Sequence, residues 1–206
     1  FLDAYGGGMP TTTGDLRSFL LWVRDADANG NGDADDEVGW TGSEKASVTF
    51  ARPTDFLMNA FTPQDRNGYF VREDVVRCAM IREGYREGLR YLNGLMTDGL
   101  MDTDYPANEV DAIHLLVGRN GGNTVACVSA ARLDTVSADP DIQAKYEVVP
   151  PLTGPDGQAF AYVDTFSCLT AGMIPANSRQ PALAMAWMDS LHDPEVLLRA
   201  TFGQLD

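Results

Sequence analysis

The chain has 206 residues, 44% of them hydrophobic and 22% charged, a balance that supports a packed globular body of one or two lobes without covalent staples. Thirty acidic residues against fifteen basic ones leave a formal net charge of −15, and only Lys45 and Lys145 are lysines. So acidic a surface repels phosphate, which excludes nucleic acid and anionic membrane as partners and suits neutral solutes or divalent cations.

Phe1 opens inside an amphipathic segment rather than a charged leader, so an excised or processed chain is expected. After Met9-Pro10, Thr12 and Asp15 stand at capping-box spacing. Leu16, Phe19, Leu20 and Val23 then repeat on one face, which predicts a helix over 13–25. The apolar run near 19–23 is the longest in the chain and far below the roughly 20 residues that span a bilayer. The helix must stop at Asp27-Ala-Asn29-Gly-Asn31-Gly32, and a short strand is expected near 38–41.

Residues 53–61 read as a short helix with Phe56, Leu57, Ala60 and Phe61 on its apolar face. The pattern over 69–79 is a hairpin turning at Arg72-Glu73-Asp74. The next helix carries Tyr85, Leu89, Leu92, Leu95 and Met96 on one face, with Glu83/Arg86 and Glu87/Arg90 as charge pairs, and Gly99 suits a left-handed cap. A further helix over 106–117 is followed by a buried strand over 124–128. Strands are also expected over 146–149 and 159–163, and helices over 180–191 and 194–202. The first of these two helices presents the stripe Leu183, Ala184, Trp187, Met188 and Leu191 behind Pro181. Alternating strands and helices point to an α/β body, and the Pro/Gly-rich stretch 150–157 reads as a hinge or crossing segment.

Cys78, Cys127 and Cys168 are widely spaced in apolar runs, without Cys-x-x-Cys, so they read as buried free thiols. The sharpest local signal is the acidic loop over 27–36. Calcium requires six to eight hard oxygens, which such a loop presents at alternate positions while glycine permits the reversal. Asp27, Asn29 and Asn31 fall at positions 1, 3 and 5 of an EF-hand loop, Gly32 at 6, the Asp33 carbonyl at 7 and Asp35 at 9. Position 12 is Val38, which offers no carboxylate, so Asp36 is the substitute that closes a shorter loop. The alternative is a solvated acidic turn that binds nothing. Such a calcium site is structural, pinning the first helix to the strand at 38–41.

Catalytic motifs are absent: there is no Gly-x-Ser-x-Gly, no phosphate-binding Gly-x4-Gly-Lys and no His-Glu-x-x-His. His114 and His192 are far apart and read as ordinary structural or surface residues. Nothing singles out two carboxylates as a glycosidase pair. The expectation is a binding protein and not an enzyme.

The order of Leu2-Asp3, Met9-Pro10-Thr11-Thr12-Thr13, a helix and Asp-x-Asn-Gly-Asn-Gly-x-x-Asp-Asp resembles the extracellular solute-binding family 1 of ABC transporters. The nearest branch is the lipoprotein and alginate-binding one, truncated here at both ends. The hairpin, Tyr91-Leu92-Asn93-Gly94-Leu95, the run from Tyr146 to Gly157, Ala171 to Asn177 and the Trp187-Met188-Asp189 helix follow in the same order. The resemblance implies a periplasmic-binding-protein-like (type II) lobe with helices on a mixed sheet. Residues 1–149 would form the second lobe, and 150–206 a crossing segment with helices that belong to the other lobe. It implies structural calcium on Asp27, Asn29, Asn31, the Asp33 carbonyl, Asp35 and Asp36, the last usually a glutamate in the family.

It also implies a carbohydrate ligand, permease subunits as partners, a monomer, and a place outside the cytoplasmic membrane on the cell surface or in the periplasm. Ligand contacts fall near 52–56, at Arg52, Asp55 and Phe56, and at 129–132, where Ser129 and Arg132 stand in place of a frequent aromatic. Trp40, Tyr162 and Phe166 are further candidates. From another class, a secreted calcium-dependent interaction module resembling a dockerin also uses such loops, but in pairs and without a long α/β remainder.

Overall fold

The computed structural model describes residues 1–45, 52–161 and 172–203. Residue contacts divide the chain into two units, Phe1–Asp164 and Thr165–Asp206. In the first unit, α1 (Leu2–Tyr5) is a single turn, and Tyr5 meets the Phe19 ring edge-on at 5.3 Å. α2 (Thr13–Asp25) has the expected bounds and cap: Thr12 Oγ1 accepts from the Asp15 amide at 3.0 Å and Asp15 Oδ2 accepts from the Thr12 amide at 3.0 Å. These contacts satisfy two orphan N–H groups that the first turn cannot pair within the helix. Leu16, Phe19, Leu20 and Val23 are all buried, so the apolar spacing does place one face in the core.

β1 (Val38–Thr41) pairs in parallel with β4 (Val125–Val128), Val38 opposite Val125 and Trp40 opposite Cys127. On its other side β1 forms a single parallel bridge from Trp40 to Met101. Flanked on both edges and covered by α2, β1 is buried from Gly39 onward, as parallel strands require. α3 (Pro53–Leu57) runs into a 3-10 turn, Met58–Ala60, so the expected short helix is present but tightens at its end.

The hairpin is β2 (Tyr69–Arg72) and β3 (Val75–Cys78). Arg72 belongs to the strand rather than the turn, which is only Glu73 and Asp74, at φ 57° and 58°. Both values are positive, the geometry whose twist matches the flanking strands.

α4 (Glu83–Thr97) ends as its sequence foretells, with Gly99 at φ 69° and the Leu100 amide donating to the Leu95 carbonyl at 2.8 Å. Leu92 and Leu95 are buried, but Leu89 is 48% exposed and so lies off the packed face. Arg86 pairs with Glu83 at 3.3 Å as expected, whereas Arg90 also turns to Glu83, at 3.5 Å, and not to Glu87.

α5 (Val110–Gly118) starts later than expected, because 103–107 is a run of turns. α5 and β4 build a second cluster of Ile113, Val117, Val125, Val136 and Ile142, to which α6 (Pro140–Gln143) contributes. His114 Nε2 contacts the Thr135 carbonyl at 2.9 Å, a structural role. Residues 146–149 form no strand, and neither do 159–161, the described part of the run expected over 159–163. Tyr146 instead reaches in to donate its hydroxyl to the Val125 carbonyl at 3.0 Å, while Val148 is exposed.

The stretch 150–161 lies along the first unit. Thr153 bridges Thr12, Leu152 is buried in the main core, and the Phe160 amide donates to the Asn59 carbonyl at 3.2 Å.

The second unit holds α7 (Pro181–Ser190) and α8 (Pro194–Phe202), close to their expected bounds. Asp193 caps α8, accepting from the Glu195 and Val196 amides at 2.9 and 3.2 Å. The expected α7 stripe is at helical spacing but is not a core among the described residues: Trp187 is 65% exposed and Leu183 also faces out. An apolar stripe shows that a helix has one greasy face; it does not supply the surface that covers it.

Candidate functional site

The acidic loop leaves the end of α2 and returns into β1, so both flanks are anchored in the core. Asp27 spreads its carboxylate over two backbone donors, the Asn31 amide on Oδ1 at 2.9 Å and the Gly32 amide on Oδ2 at 2.7 Å. Asn29 Oδ1 accepts from the Asn31 amide, Asn31 Oδ1 from the Asp33 amide, and Asp33 Oδ1 from the Asp35 amide, at 2.9, 2.7 and 3.2 Å. These are successive Asx turns, in which a short polar side chain holds the backbone two residues ahead. Gly30 and Gly32 sit at φ 73° and 91°, where a Cβ would be strained, so the reversal depends on them. The coil thus engages the side-chain oxygens of positions 1, 3 and 5 with the loop's own backbone amides.

Two residues outside the expected donor set complete the loop. The Asp36 carboxylate accepts from Asn29 Nδ2, Asn31 Nδ2 and, across 84 residues of sequence, Asn120 Nδ2, at 2.8, 2.7 and 2.6 Å. Glu37 takes the Asn29 amide on Oε1 at 3.0 Å, while its Oε2 is buried with no hydrogen-bond partner among the described residues. Sequence reasoning missed both: Glu37 falls at position 11 of the template, and no spacing rule reaches Asn120.

Among the described residues no three His, Cys, Asp or Glu side chains converge as a metal group. A cation here would have to draw on the Asn29 and Asn31 amide oxygens and the Asp33 carbonyl beside the carboxylates. That set of hard oxygens, with one orphaned carboxylate oxygen at its edge, suits calcium rather than a softer metal.

A second polar centre is a partly open cleft of about 400 Å³ between the start of α3, the segment 64–68 and α4. Arg52 caps its floor with both arms on Asp55, Nε to Oδ2 at 3.1 Å and Nη2 to Oδ1 at 2.7 Å, and Nη2 also donates to the Arg66 carbonyl. Asp55 is only 5% exposed, and Arg66 Nε stands 4.0 Å from its Oδ2. Such a buried carboxylate persists because two guanidinium groups bracket it.

Beside it, Thr54 donates its hydroxyl to Glu44 at 3.0 Å. Burial raises the Glu44 carboxyl above its ordinary pKa, against the opposing effects of Thr54 and Arg52. The buried Asn59 ties α3 to the segment that follows it, Nδ2 donating to the Asp55 carbonyl at 2.7 Å and Oδ1 accepting from the Gln64 amide at 3.1 Å. Tyr85, Leu89 and Met80 give the cleft an apolar side.

The structure therefore sorts the expected ligand contacts into separate places. Arg52 and Asp55 line the cleft. Trp40 is 3% exposed, donates Nε1–H to the buried Ser129 Oγ at 2.9 Å and packs on Phe56 at 5.7 Å between ring centroids, so these three form a core cluster. Its indole N–H is used inside the protein, as a buried tryptophan requires. Arg132 is exposed and held by Asp134 through two contacts of 2.9 Å. Tyr162, Phe166 and Cys168 lie outside the described residues. Cys127 is buried, which pushes its thiol up to about 12, and Cys78 is a partly buried free thiol.

No protein-family model matches the chain. It is 25% identical, over 98% of its length, to the fructooligosaccharide ABC transporter substrate-binding protein FusA of Streptococcus pneumoniae serotype 4, of which it covers 37%. It superposes over its whole length on FusA in complex with kestose, with a TM-score of 0.71 and 22% identity, covering 40% of that chain. An EF-hand mutant of FusA in complex with fructo-nystose gives 0.70 at 21% identity, also with 40% of that chain covered. An HMO-binding ABC-transporter-associated solute-binding protein of Bifidobacterium longum infantis gives 0.70 at 18%, over 99% of this chain and 43% of the other. The chain thus spans about 40% of the length of these relatives. The fold is that of solute-binding proteins, and the resemblance drawn from the order of sequence landmarks is borne out along the whole chain.

Proposed function

We propose that this chain forms part of the solute-binding component of an ABC transporter, which captures an oligosaccharide outside the cytoplasmic membrane and passes it to permease subunits without chemical turnover. The observation that carries this reading is the match over 98% of the chain to a fructooligosaccharide-binding transporter component, at the same fold. Residues 1–149, with the strap 150–161 packed along them, contribute the second lobe, and the residues that follow lead toward the other. The cleft beside Arg52 and Asp55 is the saccharide-facing surface of the first unit. Among the described residues no helix is long and apolar enough to cross a membrane. The protein acts as a monomer at the cell surface or in the periplasm.

Loop 27–36 holds a structural calcium ion through Asp27, Asn29, Asn31, the Asp33 carbonyl, Asp35 and Asp36. The turn contacts of Asp27 and the EF-hand of the related FusA support this. The ion would neutralise clustered carboxylates and tie the end of α2 to β1, with no part in chemistry.

Calorimetry of the full-length protein against a panel of neutral oligosaccharides, kestose and nystose included, tests the function. Saturable one-to-one binding with the sugar recovered intact is expected; silence across the panel, or turnover of the sugar, refutes it. Calcium is expected to raise the melting temperature and Asp27→Ala to abolish the increase. A melting temperature indifferent to millimolar calcium refutes the metal site.

A further inference from the structure

Asn120 stands 84 residues from Asp36 in sequence, yet its Nδ2 donates to Asp36 Oδ2 at 2.6 Å. It belongs to the connection between α5 and β4, while the acidic loop is the connection between α2 and β1. β1 and β4 are parallel neighbours, with Val38 opposite Val125 and the Val38 amide donating to the Thr124 carbonyl at 2.9 Å. Both connections therefore enter the same end of one strand pair, and the Asp36–Asn120 contact joins them there.

The connection from α5 is a turn that needs holding. Asn120, Gly121 and Gly122 have φ of 47°, 66° and 85°, three left-handed residues in succession. Asparagine and glycine are the residues that tolerate this region, but neither gains contacts from it. Lys145 Nζ ties the turn from one side, donating to the Gly121 carbonyl at 2.7 Å and to Asn123 Oδ1 at 3.1 Å. Asn120 ties it from the other, and of these two anchors only Asn120 reaches the loop.

On the loop side, the Asp36 carboxylate also accepts from Asn29 Nδ2 and Asn31 Nδ2, two residues whose amide oxygens belong to the expected calcium ligands. Those two donors move with the loop. Asn120 is anchored outside it, so it fixes the direction of the carboxylate independently of the loop's own shape. Three N–H groups fill three of about four lone-pair sites on a carboxylate, which leaves room for a cation. A partner that orients a metal-bound carboxylate contributes about 10–100-fold to metal affinity. The contact itself is exposed, so its loss strands no buried polar group and costs the fold little.

We propose that Asn120 is a positioning residue of the calcium site: it holds the Asp36 carboxylate in place for the ion, and through that bond calcium fastens the start of β4 to the start of β1. This rests on the reading of loop 27–36 as a calcium site and adds to it a residue from outside the loop.

The test is calcium titration calorimetry on the full-length protein, with hydrogen exchange followed by mass spectrometry, for the unaltered protein, Asn120→Gly and Lys145→Met. Glycine keeps the left-handed backbone and removes only the amide, and Lys145→Met loosens the same turn without touching the loop. Melting curves confirm that each variant folds. Asn120→Gly is expected to weaken calcium binding at least fivefold and Lys145→Met less than twofold. Calcium should slow exchange at 119–124 in the unaltered protein, and in Asn120→Gly only at the loop. A loss below fivefold in Asn120→Gly, an equal loss in Lys145→Met, or exchange at 119–124 that ignores calcium in the unaltered protein overturns the role of Asn120 and leaves the metal site intact. If the unaltered protein binds no calcium, the metal reading fails and this assignment with it.

Discussion

Glycine-to-alanine changes at two positions should have opposite signs, and the contrast tests whether 150–161 is an integral strap of the first unit. A Cβ built on Gly154 would stand 1.7 Å from the Ala60 carbonyl oxygen and 2.8 Å from its carbon. Real contacts of this kind exceed 3 Å, so two backbones must part by about 1.5 Å, and a close-packed interior has no slack for that. The displacement disturbs the Thr153 amide on the Thr11 carbonyl, the Gly154 amide on the Gln158 carbonyl, and the burial of Leu152. Loss of a buried leucine contact at about 1.5–3 kcal/mol, with one or two hydrogen bonds at about 1 kcal/mol each, sets the cost of Gly154→Ala at roughly 2.5–5 kcal/mol.

Gly94, inside α4, has nothing within 4 Å of the corresponding Cβ. There alanine removes only the entropy penalty of glycine in a helix, so Gly94→Ala should stabilise by about 0.5–1 kcal/mol. Urea unfolding in a Trp187→Phe background, where fluorescence comes from Trp22 and Trp40 of the first unit, reads both effects. A Gly154→Ala cost below about 1 kcal/mol would refute the close approach and detach the strap from this unit.

Three further outcomes follow from single contacts. Ser129→Ala strands the Trp40 indole N–H in the core and should cost about 1–3 kcal/mol; a double-mutant cycle with Trp40→Phe should return a coupling near 1 kcal/mol, and zero coupling refutes the bond. Hydrogen bonding with Thr12, then Thr11, holds the Asp15 carboxyl below its ordinary value. With the folded pKa below the unfolded one, its contribution is complete above the unfolded pKa and disappears as pH falls through the folded one, so Asp15→Asn should flatten the acid limb of the stability curve. Alkylation at mild pH should label Cys78 while Cys127 reacts only on unfolding, since burial keeps its thiol protonated; peptide mapping by mass spectrometry decides.

Local chemistry was enough to write down α2 with its capping box, the Gly99 stop of α4, the hairpin and the Asx-rich loop, because each depends on residues within a few positions of one another. The side chains at positions 1, 3 and 5 that hold the loop's turns were legible for the same reason. Only the tertiary structure decided which elements meet. β1 pairs with β4 across about half of the first unit, Asn120 reaches Asp36, and Arg66 arrives beside Asp55, none of which any periodicity encodes.

The run at 146–149 has the composition of a strand yet forms none, since an extended segment becomes a strand only where a neighbour offers free backbone groups. Trp40 was open in the sequence between ligand contact and core packing, and it is 3% exposed in the core; a side chain carries its chemistry in the sequence, but whether it faces ligand or leucine is fixed by what folds over it.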